Sequence, residues 1–390
     1  MFKCIPDPPI PPPPIEYVSV WVCEDSKLLS RPDCSKGVLT KFVKGTEPTD
    51  ICEIDHTPEP PIPPTTDPKE PYIGVSYYQL LTESTDNIKW FIGQLRSHGA
   101  NATEIFLNFT WSGGWENSFY KQVGTWSEGK YYGYKFPMFD LDQWNDETWD
   151  WLKFIMTECR QNGIALFMRI QDYCSIKDPF EKRHYPYSNG SNVQLYTGGA
   201  WGVPIRHWYK LFNSKLMDTI NQAGLKHYFI VPMNEADVLG DDWPGGETEK
   251  DQVCRDFHQF YIDDLMSMGV NKDQLILNIF RNNTREHFEN LGYRIEWHGI
   301  ASPEELQNRY NESGLNIFPN GDGATDGQGI KAGNYREPSK DQGVEMGKIL
   351  KGKFGYCYFL RSTEQGVVGD VTKADFIALD GLVEGINSIA

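Results

Sequence analysis

Asn234-Glu235 closes a short apolar run, Phe229 to Met233, and Asp237 follows two residues on. An apolar run that stops at an amide and a carboxylate has two readings. It is a buried strand delivering a carboxylate to a site, or it is a loop start in which Glu235 caps the next helix. Residues of matching chemistry end other apolar runs. Carboxylates stand at Asp172, Glu296, Asp322 and Glu364, a guanidinium at Arg169, an imidazole at His298, and rings at Tyr78 and Trp111, with Trp201 and Trp243 farther from any run. Two carboxylates flanking a glycosidic bond can cleave it: one carboxyl protonates the leaving oxygen, and the other attacks the anomeric carbon or activates a water. Aromatic faces suit the stacking of sugar rings. The Gly-x-Ser-x-Gly signature of serine hydrolases is absent. No Cys-x-x-Cys or Cys/His cluster has zinc spacing, so no metal and no cofactor is expected.

Composition narrows the partners. The 390 residues carry 54 acidic against 37 basic side chains, a net charge of −17. Nucleic acid is an unexpected partner, because binding it needs clustered Lys and Arg. A neutral polysaccharide or oligosaccharide fits better. The 12 Trp, 20 Tyr and 21 Phe argue that most of the chain folds, since disordered chains are poor in aromatics. No window holds the roughly 18 apolar residues of a membrane span. The start, MFKCIPDPPIPPPP, has no apolar core and does not read as a signal peptide.

The elements that must position the candidates are legible from residue 72 onward. Short apolar runs alternate with amphipathic stretches. Strands are expected at 72–78, 104–110, 164–170, 228–233, 274–280, 293–298, 315–318 and 354–360. A helix pattern follows each. Ser302-Pro303-Glu304-Glu305 reads as a capping box with Pro at the first helical position. Eight strand–helix units over about 320 residues point to a (β/α)8 TIM barrel; a doubly wound sheet would alternate the same way. In such a barrel the site lies at the carboxyl ends of the strands. That rule collects Tyr78 (strand one), Trp111 (two), Arg169 and Asp172 (three), Asn234 and Glu235 (four), Glu296 and His298 (six), Asp322 (seven) and Glu364 (eight). Glu296 precedes His298 by two residues on one face, so it should lie deeper and pair with Arg169. Trp201 and Trp243 fall in the long segments after strands three and four, a usual place for function. The bland readings are a satisfied core histidine for His298 and a plain turn or calcium loop for NGDGATDG around Asp322.

The body, 72–390, resembles the clan A glycoside hydrolases, the barrels that include cellulases, mannanases and xylanases. The likeness rests on Asn234-Glu235 at the end of the fourth strand and on His298 at the end of the sixth. It implies that Glu235 is the general acid, its pKa raised by a partner carboxylate, with Asn234 orienting substrate or the acid. It also implies a Glu nucleophile on strand seven and an Arg on strand two. Here strand seven offers Asp322, and EIFLNFTW of strand two has no Arg. Asp322 by topology, Glu364 by residue type and Glu296 on strand six are therefore the candidate second carboxylates, with Asp322 ahead of Glu364 and Glu296 set back by its deeper, paired position. A retaining mechanism is the first expectation; an inverting one follows if the carboxyls stand roughly 6.5–9.5 Å apart. The alternative of another class is a non-catalytic carbohydrate-binding protein on a degenerate barrel, part of a virion or cell-surface assembly.

Ahead of the body lie a proline-rich segment (1–15), a small module (16–56) and a proline-rich linker (57–71). The module's VSVWVC, DSKLLSRPDC and FVKGTEPTDIC resemble the C-terminal tail of class A penicillin-binding proteins. None of that enzyme's catalytic motifs accompanies them. The resemblance implies an accessory module from a cell-surface setting, and hence an extracellular, cell-surface or virion location. Cys4, Cys23, Cys34 and Cys52 crowd this short stretch and suggest disulfide staples with three possible pairings; free thiols in a reducing compartment are the other reading.

Overall fold

The structure is a computed structural model. It describes residues 17–23, 37–44, 67–77, 80–107, 118–126, 136–170, 203–234, 246–279, 281–298, 302–313, 317–321, 340–360 and 373–388. The chain divides into two compact units, Met1–Pro63 and Pro64–Ala390, so the boundary falls inside the second proline tract. In the first unit β1 (Tyr17–Cys23) pairs antiparallel with β2 (Gly37–Val43), in a register that sets Tyr17 against Val43 and Cys23 against Gly37. The disulfide staples find no support: no disulfide occurs among the described residues, where Cys159 and Cys254 are buried and not disulfide-bonded. Cys4, Cys34 and Cys52 lie outside the described residues.

The second unit is an α/β fold on one parallel sheet. Its strands are β3 (Tyr72–Tyr77), β4 (Ala102–Phe106), β7 (Ala165–Arg169), β8 (Tyr228–Val231), β9 (Ile276–Asn278), β10 (Arg294–His298), β11 (Ile317–Gly321) and β12 (Gly355–Leu360). Their order is β8-β7-β4-β3-β12-β11-β10-β9, and the two outer strands are linked by a parallel bridge between Ile230 and Leu275. The eight expected strands are all present, with shifted ends. The second begins at Ala102, and the seventh runs on through Pro319, Asn320 and Gly321, because β10 and β12 hold those residues in register.

Helices fill the connections: α1 (Thr85–Ser97), α2 (Asp146–Asn162), α3 (Val203–Ala223), α4 (Glu247–Ser267), α5 (Asn282–Asn290), α6 (Pro303–Ser313), α7 (Lys340–Leu350) and α8 (Lys373–Asn387). Local chemistry explains their limits. In α1 the Ser84 side chain accepts from the Asn87 N–H, and Ile88, Phe91, Ile92 and Leu95 form the buried stripe of a 3.6-residue period. The expected cap of α6 is present, with Ser302 Oγ accepting from Glu305 N at 3.1 Å. Gly163 ends α2 in the left-handed region at φ 67°.

One element is new to the sequence reading. Between β4 and α2, β5 (Tyr120–Trp126) and β6 (Phe136–Trp144) form an antiparallel pair, with Tyr120 stacked on Trp144 at 4.9 Å. The stretch around Trp126 is thus an added hairpin, outside the eight strands expected from the sequence.

Both faces of the parallel sheet are buried, but in separate clusters. Ile73, Val75, Ile105, Leu166, Met168, Ile230, Leu277 and Ile295 join the helices in the larger core. The alternate residues Tyr72, Ala102, Ala165, Phe167, Phe229, Val231 and Ile276 form a second cluster with Phe354 on the other face. Phe229 of β8 meets Phe354, at the start of β12, with ring centroids 5.0 Å apart, although four steps of the sheet order separate those strands. The Arg294 guanidinium of β10 covers Phe354 at 3.6 Å. Along β3, β4, β7, β8 and β9 a period of two therefore sorts the described side chains between one aromatic and polar face and one largely aliphatic face.

The last two helices meet through glycine. A Cβ on Gly385 of α8 would stand 2.1 Å from the Val344 carbonyl oxygen and 2.9 Å from Gly347 Cα of α7. On Gly381 it would meet the Lys340 carbonyl oxygen at 2.3 Å. Glycine to alanine inside a helix usually gains up to about 1 kcal/mol. Here the obstructing atoms are backbone, so Gly385→Ala is expected to cost about 1–3 kcal/mol. Gly93 of α1 faces open space, so Gly93→Ala is expected to stabilise by about 0.5–1 kcal/mol. Urea midpoints of the two variants check this; a stabilising Gly385→Ala would contradict the seam.

Candidate active site

The site builds upward from the inner face. Beyond the aromatic cluster, towards the carboxyl ends of the strands, the inward register changes to polar residues. Ser76 of β3, Glu104 of β4, Arg169 of β7, Asn278 of β9 and Glu296 of β10 are each 0% exposed, and Asn234, just past β8, is 6% exposed. Buried charge is tolerated only when paired, and Arg169 supplies the pairing. Its Nη1 donates to Glu296 Oε2 at 2.7 Å and to Asn234 Oδ1 at 2.8 Å. Its Nη2 also binds Glu296 Oε1, completing a bidentate fork. Glu104 Oε1 lies 2.6 Å from the same Nη2, an ion pair outside hydrogen-bond geometry. The Phe106 ring lies 5.0 Å from the guanidinium carbon.

Arg169 and Glu296 are thus the pair that their register suggested, and Asn234 joins them. Glu104 was missed. It opens the expected second strand, and attention to strand ends alone passes over a carboxylate at a strand's start; its shared parity with Phe106 was the available signal. His298 ends β10 in parallel register with Asn320 of β11, and only its backbone is described. Tyr78, Trp111, Asp172, Trp201, Glu235, Trp243, Asp322 and Glu364 lie outside the described residues. The chain places three of them directly: Tyr78 follows the last residue of β3, Glu235 follows Asn234, and Asp322 follows the last residue of β11.

Two further polar groups steady the segments that carry these residues. Tyr77, the last residue of β3, donates its hydroxyl to the buried Glu83, which also accepts from Asn87 Nδ2 at 2.7 Å. Burial, and then the Glu83 carboxylate, push the Tyr77 phenol well above its ordinary range. Trp151 Nε1 donates to the Glu83 carbonyl at 3.0 Å, tying this turn to α2. On the other side Arg281, at the N-cap of α5, reaches back to α4. Its Nε donates to Asp251 Oδ1 at 2.5 Å, and its Nη2 binds Glu247. Burial pushes the Asp251 carboxyl up, but hydrogen bonds from Asn283 and Arg281 outweigh it and hold the pKa below the usual value. The clamp fixes the first turns of α4, which begins directly after the 235–245 segment. A cavity of about 260 Å³ opens elsewhere, lined by Arg160, Ile164, Leu225 and His227, which precede β7 and β8, and it shares no residue with this layer.

Among the described residues no group of three or more His, Cys, Asp or Glu could hold a metal ion. No helix among them is long and apolar enough to cross a membrane.

Residues 13–57 match the family described as "Penicillin-binding protein 1A, C-terminal domain". The match covers the small N-terminal module and none of the parallel sheet. No curated protein sequence matches the chain. Among solved structures, an endo-1,4-beta-mannanase from Rhizomucor miehei is similar with a TM-score of 0.53 at 13% identity, over 80% of this chain and 95% of that one. An endo-beta-1,4-mannanase from Thermotoga petrophila gives 0.52 at 12% identity, over 82% and 77%. A glycoside hydrolase family 5 enzyme from Prevotella bryantii gives 0.50 at 13% identity, over 81% and 95%. At such identities the likeness is one of fold.

Proposed function

We propose that the eight-stranded sheet closes as a (β/α)8 barrel and that the unit from Pro64 onward is a glycoside hydrolase acting on a neutral polysaccharide or oligosaccharide. The observation that carries this reading is the place of Asn234. It stands at the carboxyl end of the fourth parallel strand, buried and hydrogen-bonded to Arg169, with Glu235 next in the chain. The fold shared with two mannanases and a family 5 glycoside hydrolase supports the same assignment.

In this reading Glu235 protonates the glycosidic oxygen as the carboxylate of Asp322 attacks the anomeric carbon, so the leaving alcohol departs with the proton. Water, deprotonated by Glu235, then displaces the Asp322 carboxylate and restores both groups, with retention at the anomeric carbon. Glu364, four residues beyond β12, is the alternative nucleophile. Tyr78, Trp111, Asp172, Trp201, Trp243 and His298 would hold the sugar chain, and Arg169 with Glu296 would support Asn234 from beneath. The N-terminal module would tether the hydrolase at a cell surface or virion.

Incubation with soluble β-mannan, β-glucan and xylan tests the proposal. New reducing ends from at least one glycan are expected. Retardation of the protein in glycan-containing native gels, without reducing ends from any glycan, would establish the binding-protein alternative instead.

A further inference from the structure

The buried polar layer holds two carboxylates on one guanidinium. Glu104, Arg169 and Glu296 come from three different strands and are all 0% exposed. Glu296 engages both Nη atoms of Arg169, which fixes the plane of the guanidinium, and Glu104 presses on Nη2 at 2.6 Å. A bidentate fork leaves little rotational freedom. The second hydrogen of Nη1 then has a set direction, and it meets Asn234 Oδ1 at 2.8 Å. That contact decides the sense of the amide. With Oδ1 turned to a cation, the Nδ2 donors must face away from it, because an N–H directed at a guanidinium N–H is repulsive.

We propose that Arg169 is a positioning residue. Locked by Glu296 and Glu104, it holds Asn234 with its amide oxygen turned to the guanidinium and its donors turned away from it. The site would then meet a sugar oxygen with a hydrogen-bond donor of set direction. This last consequence rests on the glycoside hydrolase reading; the locking of Asn234 does not. Lysine cannot replace the device. Its single ammonium group can satisfy one carboxylate but cannot hold a fork to Glu296 and a directed bond to Asn234 together.

The test uses Arg169→Lys in the full chain, which keeps the buried positive charge. Protein labelled with ¹⁵N-asparagine gives the side-chain amide signals, and the Asn234 pair is the one lost in Asn234→Ala. In Arg169→Lys that pair is expected to shift and its protons to exchange about tenfold faster or more. On a glycan that the wild type cleaves, kcat should fall about 10–100-fold while KM changes less than about threefold, the mark of lost positioning. An unmoved Asn234 pair, or an unchanged kcat where the wild type is active, overturns the proposal. If the wild type cleaves no glycan but the Asn234 pair responds, the locking stands and the hydrolase reading falls. If Arg169→Lys does not fold, Glu296→Gln weakens the same fork and is judged by the same two readings.

Discussion

Replacing Glu235 by glutamine is expected to cut turnover by about 10²–10⁴-fold, the usual contribution of a general acid, while leaving glycan binding within about threefold of wild type. β8 is the fourth parallel strand in chain order, and its side chains are buried. Asn234 follows at its carboxyl end and is held in place by Arg169. Glu235 is the next residue in the chain. Glutamine keeps the size and the hydrogen-bonding capacity but has no proton to give. Initial rates on the cleaved glycan, with binding followed by calorimetry on the same oligosaccharide, separate the two effects. A variant that retains full turnover would remove Glu235 from the chemistry.

A second large effect concerns acid stability and centres on His258 in α4. The ring is fully buried against Phe257 and Phe288, and neither ring nitrogen has a hydrogen-bond partner. Burial without a partner pushes its pKa down to about 3 from the ordinary 6.5. The folded state therefore keeps the ring neutral where the unfolded chain takes up a proton. Its contribution is fully present above pH ~6.5 and is lost as pH falls towards ~3, at about 1.4 kcal/mol per unit and about 4–5 kcal/mol in all. His258→Phe removes the titrating group and should flatten this part of the stability curve. Urea unfolding of both proteins between pH 7 and pH 4 measures it. Parallel curves for wild type and variant would show that His258 carries none of the acid sensitivity.

The strands were legible because each is an apolar run bounded by turn residues, and the helices because their apolar positions follow a 3.6-residue period. The Arg169–Glu296 pair was legible for a related reason: residues two apart on a strand share a face, so Glu296 had to lie beneath His298. Two features escaped. The β5–β6 hairpin is interrupted by Gly124, Gly129 and Gly133 and is rich in rings throughout, so its alternation is masked by residues that also suit a loop. Strand β11 was expected to stop at Phe318, because Pro319, Asn320 and Gly321 are turn formers in isolation. Its parallel neighbours carry it on to Gly321, a pairing that no local propensity encodes. Glu104 shows the same limit: its importance comes from an arginine on the next strand and appears only when the strands are set side by side.

The central claim is hydrolysis of a glycosidic bond, and the most direct measurement follows the oxygen atom. The protein is incubated with a cleavable glycan in H₂¹⁸O, and the fragments are weighed by mass spectrometry before spontaneous exchange. Each new reducing end is expected to carry one solvent oxygen at its anomeric carbon, with about 10²–10⁴-fold fewer such ends formed by Glu235→Gln in the same time. Fragments without solvent oxygen, or no fragments from any glycan that the protein binds, would contradict the account.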